Sequence, residues 1–287
     1  MTHYSTESAS SVIVTRLRAA GCVFAEDEAR LLISAARTPA DLAAMVERRA
    51  AGQPIEHVLG WAEFCGLRIA VDPRVFVPRR RSEFLVREAT ALARQAASPS
   101  DQAAALGRPR AVVVDLCCGS GAVGAALAAA LDRVELHAVD IDPAAVRCAS
   151  RNIAAAGACV YQGDLYQPLP TTLRGRVDVL VANAPYVPTD EIGLLPAEAR
   201  RHEPRVALDG GADGLDIVRR VTAAAPLWLA PRGHLLVEAS ERQAPRAAET
   251  AARHGLVPRV ARSRELNATI VIATMPATPG RPGPARG

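Results

Sequence analysis

At 287 residues, 49% of them hydrophobic, the chain is long enough for one large domain, or for a main domain with a small companion, without disulfide or metal staples. No apolar run approaches the roughly 18 to 20 residues of a membrane span, and MTHYSTESASS lacks the basic-then-apolar order of a signal peptide, so a soluble, cytoplasmic protein is expected. The net charge is +4 and all 34 basic residues are arginine; without lysine, Schiff-base catalysis and the phosphate-gripping lysine of a P-loop are excluded.

The six cysteines form no C-x-x-C pair and no Cys/His cluster at zinc spacing, so no metal site is expected. Positive charge gathers in RVFVPRRR and again from Arg253 onward, where six arginines face one glutamate. Such segments are either a solvated face and tail or a surface that attracts RNA or a ribonucleoprotein.

Residues 1–58 read as a small helical domain, with apolar positions at three- and four-residue steps in EDEARLLISAA and DLAAMVERRAA. Thr38, Pro39 and Asp41 have the chemistry of a helix start, and Gly52 stops that helix. Residues 59–77 alternate like strands, with breaks near Gly66 and at Asp72-Pro73, and a hairpin connector is expected over 59–80. A helix near 82–97 opens the main domain, 81–275, and ASPSDQAAALGRP is a breaker-rich linker. From Ala111, apolar strands alternate with amphipathic helices, including one read over 214–230 and another over 143–157. That order predicts an α/β fold with a largely parallel sheet covered on both faces and a ligand at the carboxyl ends of its strands. Residues 276–287 have too little apolar content to pack.

VVVDLCCGSGAVG ends a strand at Asp115 and opens a helix through Gly119, Ser120 and Gly121. A G-x-G turn alone would suit a plain strand-to-helix turn or a dinucleotide. Asp140, at the end of the next strand, adds a carboxylate placed to accept both hydroxyls of a ribose. Asp115 would repel a pyrophosphate and welcome an ammonium, so the expected cofactor is S-adenosyl-L-methionine, released as S-adenosyl-L-homocysteine. Asp164 is a candidate acceptor for the adenine amino group, with Leu165 beside the ring. Cys117 and Cys118 are read as small apolar fillers next to the cofactor.

The strand VDVLVAN then stops at Asn183-Ala184-Pro185-Tyr186. A planar amide or exocyclic amine is a poor nucleophile because its lone pair is delocalised. The Asn183 oxygen and the Ala184 carbonyl would each accept one N–H, pin the –NH2 group and stabilise the charge that develops on nitrogen. Pro185 stiffens the turn and Tyr186 offers a flat face for stacking. The competing interpretation is a plain Asx turn.

Taken together, GQPIEHVLGWAEFCGLRIAVDPRVFVPR, DLCCGSGAVG, AVDIDP, NAPYVP and HEPRVALDGGADGLDIVRR resemble the HemK-type protein-(glutamine-N5) methyltransferases, which act on the Gly-Gly-Gln motif of peptide chain release factors. The resemblance implies a class I methyltransferase sheet, Rossmann-like and seven-stranded with its last strand antiparallel, preceded by the helical substrate-recognition domain. It implies cofactor contacts at residues 117–121, Asp140, Leu165 and Asn183, a substrate clamp at Asn183 to Tyr186, and a protein substrate, either a release factor or a ribosomal protein. The chain departs from the family pattern at Ala184 for proline, at Cys117-Cys118 for glycine and threonine, and at PRRRSE for Pro-Arg-Pro-x-Thr-Glu. It also has Glu56-His57 for Gln-Tyr and His202 for tyrosine. An amino-group methyltransferase acting on RNA or DNA, and a non-catalytic cofactor-binding paralogue, are the alternatives the residues leave open.

Overall fold

Four helices come first, α1 (His3–Ala19), α2 (Ala25–Ala35), α3 (Pro39–Ala50) and α4 (Ile55–Leu59), in a computed structural model that describes residues 3–96 and 111–277. The start of α3 follows from its residues. The Thr38 hydroxyl accepts the Asp41 N–H at 3.1 Å, and Pro39 stands in the first turn, where its missing N–H costs nothing. Leu17, Leu32, Met45, Val46 and Val58 bury the apolar stripes of these helices against one another. Within that layer Arg49 forks onto Glu28, with Nε to Oε2 at 2.7 Å and Nη2 to Oε1 at 2.9 Å.

β1 (Trp61–Phe64) and β2 (Leu67–Ala70) form the expected antiparallel hairpin, in register from Trp61 opposite Ala70 to Phe64 opposite Leu67. Its two-residue turn has φ +50° at Cys65 and +73° at Gly66, the backbone a tight hairpin requires. The strand-like alternation read beyond Asp72 does not make a strand. Pro73 lacks an N–H, Arg74 turns at φ +66°, and Val75 and Val77 are buried against Val71 and Cys148, so the period of two reflects an extended segment packed on a helix.

After α5 (Glu83–Ala96), the seven-stranded sheet contains β3 (Ala111–Leu116), β4 (Val134–Asp140), β5 (Cys159–Gln162), β6 (Val177–Ala182), β7 (Leu229–Glu238), β8 (Val257–Ser263) and β9 (Ala268–Thr274), in the order β5-β4-β3-β6-β7-β9-β8. The pairs from β5 to β7 are parallel, and β9 runs antiparallel to both β7 and β8. This is the class I methyltransferase sheet expected from the sequence. Side chains of β3 alternate between two cores: Ala111 and Val113 face the layer of α5, α6 (Ala122–Ala130) and α7 (Pro143–Asn152), while Val112, Val114 and Leu116 face α9 (Asp216–Ala224) and α10 (Ala244–Arg253). α8 (Ala197–His202) lies in the insertion after β6.

Two helices are shorter than their patterns. α9 stops at Ala224 because Pro226 breaks it, and Leu229 already pairs with Val177 in the sheet. α7 stops at Asn152 and gives way to a 3-10 turn closed by Gly157 at φ +65°. The linker read at 97–109 and the tail from residue 278 lie outside the described residues.

Candidate active site

Parallel pairing brings the chemistry to one edge. Asp115 is in register with Ala138 of β4 and Val181 of β6, so Asp140 and Asn183 emerge just beyond it on either side. Gln162 pairs with Asp140, which delivers Gly163, Asp164 and Leu165 to the same edge. A cleft opens there, and Asp115, Gly119, Asp140, Asp164, Leu165 and Asn183 all line it. Cys117, Cys118, Ser120 and Pro185 also reach it.

The loop after β3 has a backbone that fits a ligand lying close. Cys117, Gly119 and Gly121 take φ of +57°, +54° and +75°, and a side chain added at Gly119 would meet no atom within 4 Å, only the open cleft. Cys117 holds the left-handed conformation that glycine favours, in keeping with the glycine that the family resemblance implies at this position. Burial pushes both thiols well up, so neither is a thiolate nucleophile. Gly121 serves packing instead: its absent Cβ would stand 3.0 Å from Ala149 of α7.

Asp140 receives the Gly119 N–H at 2.8 Å on one oxygen and the Asp142 N–H at 2.9 Å on the other. It therefore shapes the loop and keeps one lone pair per oxygen for hydroxyls; burial pushes it above the usual carboxylate range. Asp115, 1% exposed, accepts only the Gly124 N–H at 3.0 Å among the described residues, and burial raises it to about 7. A carboxyl this underserved suits a cation from the ligand. Asp164 is bound at 2.6 Å by Arg220 of α9, a cleft residue that the sequence did not reveal.

A second cleft lies across Asn183, lined by Phe76, Arg79, Arg81, Ala184 and Tyr186. Asn183 borders both. Its Nδ2 donates to the Ser82 hydroxyl at 3.2 Å, and that hydroxyl donates to Glu238 Oε2 at 2.6 Å. Glu238 also accepts from the Tyr186 hydroxyl at 3.4 Å and forms an ion pair with Arg81, whose Nε lies 3.1 Å from Oε1. The Arg81 guanidinium lies 5.5 Å from the Tyr186 ring centre, and burial with the nearby Glu238 charge pushes that phenol up to about 12.

The glycine-rich segment ALDGGADGLD supports the turn from behind. Val187 and Gly210 are tied by an N–H to carbonyl bond at 2.9 Å, and Gln243 donates to the Tyr186 carbonyl at 2.8 Å and the Asp213 carbonyl at 3.0 Å. A Cβ at Gly210 would stand 2.7 Å from the Pro185 carbonyl, and one at Gly214 would run into the Tyr186 carbonyl. Only glycine allows this approach.

Two of the four arginines in RVFVPRRR are paired with buried carboxylates. Arg79 grips Glu203 at 2.6 and 2.7 Å, and Arg81 pairs with Glu238. Arg259 and Arg262 pair with Glu88 and Glu241. Among the described residues no helix is long and apolar enough to cross a membrane, and no cluster of His, Cys, Asp or Glu could hold a metal.

A family model described as a methyltransferase small domain matches residues 103–195. The chain is 40% identical over 205 residues to a release factor glutamine methyltransferase of Geobacter sulfurreducens, an alignment covering 70% of this chain and 66%, about two thirds, of that protein. It is 34% identical to the protein of the same name in Bradyrhizobium diazoefficiens, over 85% of each. Among solved structures, the catalytic domain of hMettl16 in complex with a MAT2A 3′UTR hairpin superposes with a TM-score of 0.52 at 15% identity, covering 80% of this chain and 81% of that one, a likeness of fold.

Proposed function

We propose, for a chain that belongs to the release factor glutamine methyltransferase family, that it methylates the side-chain amide nitrogen of a protein glutamine, that of the Gly-Gly-Gln motif in a peptide chain release factor. S-adenosylmethionine is the proposed donor. When bound, it supplies an electrophilic methyl on a sulfonium, the S–CH3 electron pair remaining on sulfur as S-adenosylhomocysteine forms.

The observation that carries this reading is the position of Asn183 at the wall between two clefts. A donor in the first and a planar nitrogen entering from the second would meet at its side chain. Asp115 offers its carboxylate to an ammonium, Asp140 its remaining lone pairs to ribose hydroxyls, and Leu165 an apolar wall to a base. Asn183 Oδ1 and the Ala184 carbonyl would each accept an N–H of the glutamine amide, turning the nitrogen lone pair toward the methyl group and offsetting the charge that grows there. The nitrogen's surplus proton leaves to water after transfer, so no side chain need act as base.

Asn183→Ala is expected to lower transfer of labelled methyl into a release factor by about 10²- to 10³-fold, as loss of a transition-state hydrogen-bonding group does, while cofactor affinity measured by calorimetry changes little. Equal loss of both would make Asn183 a cofactor ligand alone. Digesting the labelled product with protease or nuclease separates a glutamine acceptor from a nucleobase, and nuclease-sensitive label would overturn the reading.

A further inference from the structure

We infer that Glu238 and Ser82 are positioning residues that decide which way round the Asn183 carboxamide faces, an inference that rests on the methyl-transfer reading above. An asparagine amide has an accepting end and a donating end of nearly the same shape. The clamp works only if the oxygen faces the incoming nitrogen; the reversed amide would present N–H to N–H.

The network leaves one arrangement. Glu238 is 3% exposed, and as a carboxylate it can only accept; Arg81 Nε, which can only donate, lies 3.1 Å from its Oε1. Ser82 is 1% exposed and has a single proton, committed to Glu238 Oε2 at 2.6 Å. The Ser82 oxygen must then act as acceptor toward its other neighbour, Asn183 at 3.2 Å. Asn183 meets it with Nδ2, and Oδ1 is directed away from Ser82. A reversed amide would set two acceptors against each other, or take the Ser82 proton from a buried carboxylate.

The isosteric Glu238→Gln variant reverses this logic. Arg81 and the Tyr186 hydroxyl hold the amide oxygen on their side, so the new NH2 group faces Ser82 and donates to it. The Ser82 proton is then free to turn to Asn183, which presents its oxygen to Ser82 and its NH2 to the substrate. Ser82→Ala removes the constraint without reversing it.

The test measures kcat on the acceptor that the wild-type enzyme methylates, cofactor affinity by calorimetry, and the Asn183 side-chain amide signal by 15N NMR, assigned with Asn183→Asp. Glu238→Gln is expected to lower kcat by about 10²-fold, the loss from misplacing a reacting group, and Ser82→Ala by less, because the released amide can still turn its oxygen to the substrate, with melting temperature and cofactor affinity near wild type and the amide signal displaced in both. The double variant loses no more than Glu238→Gln alone, because one relay is broken either way. Unchanged kcat, an undisplaced amide signal, or losses that multiply in the double variant would overturn the relay. The amide signal is read without substrate, so it tests the relay even if the acceptor is not glutamine, whereas absence of wild-type transfer to any glutamine sinks the functional reading alone.

Discussion

The carboxyl of Asp115 sits at the end of β3 with 1% exposure and is raised by burial to about 7 from an ordinary value of 3.8. The folded protein therefore holds this proton more tightly than the unfolded chain, so stability falls as pH rises through about 4 to 7 and the loss is complete above that window. The ammonium of the proposed cofactor favours the opposite, charged form. Affinity is expected to weaken by up to about tenfold per pH unit below about 7, with proton release on binding, and calorimetry in buffers of different ionisation enthalpy measures both. Asp115→Asn should raise the melting temperature of the free protein at pH 8, flatten the pH profile and weaken binding at least about tenfold. Asp115 and Asp140 stood out in the sequence because each ends an apolar strand beside the glycine-rich turn. Ser82 and Glu238 were not: a lone serine before a helix reads as a cap, and a glutamate ending a strand has many uses.

The glycine-rich segment that follows the insertion determines how firmly the Asn183 turn is held. Gly214, at φ +74°, abuts the Tyr186 carbonyl, and Gln243 bridges the same carbonyl to Asp213. Gly214→Ala combines overpacking with left-handed strain and is expected to cost at least about 2 kcal/mol, read as a shifted denaturation midpoint, and to lower kcat as the turn moves. If stability holds and activity is kept, this support is not needed. Element type was readable from period and punctuation, as at the α3 cap and the Gly66 turn. Element ends were less so. Pro226 ended α9 six residues before its read limit, and the alternation of Val75 and Val77 came from packing on a helix rather than from pairing in a sheet.

Across the molecule, carboxylates of the insertion fasten distant segments. Glu203, with its side chain 1% exposed, holds Arg79 and accepts the Val77 N–H at 3.3 Å, and Glu198 reaches Arg49 of α3 at 3.3 Å. Arg79→Ala leaves Glu203 buried without its cation and is expected to destabilise the protein by about 3 kcal/mol in chemical denaturation; adding Glu203→Leu should recover most of that, since the unpaired charge is the cost. A double variant as unstable as the single one would refute this account.

The sequence by itself determined the sheet, its two covered faces, and the gathering of Asp115, Gly119, Asp140 and Asn183 at one sheet edge, because strand-ending residues in parallel neighbours share one edge whatever surrounds them. It also carried the family resemblance. Only the tertiary structure decided what those residues touch: Arg220 on Asp164, Arg79 on Glu203, and the chain from Glu238 through Ser82 to Asn183, whose members lie 156 and 101 residues apart. Contacts across such separations leave no periodic trace in the sequence. They depend on which side chains remain to satisfy one another once the backbone has placed them.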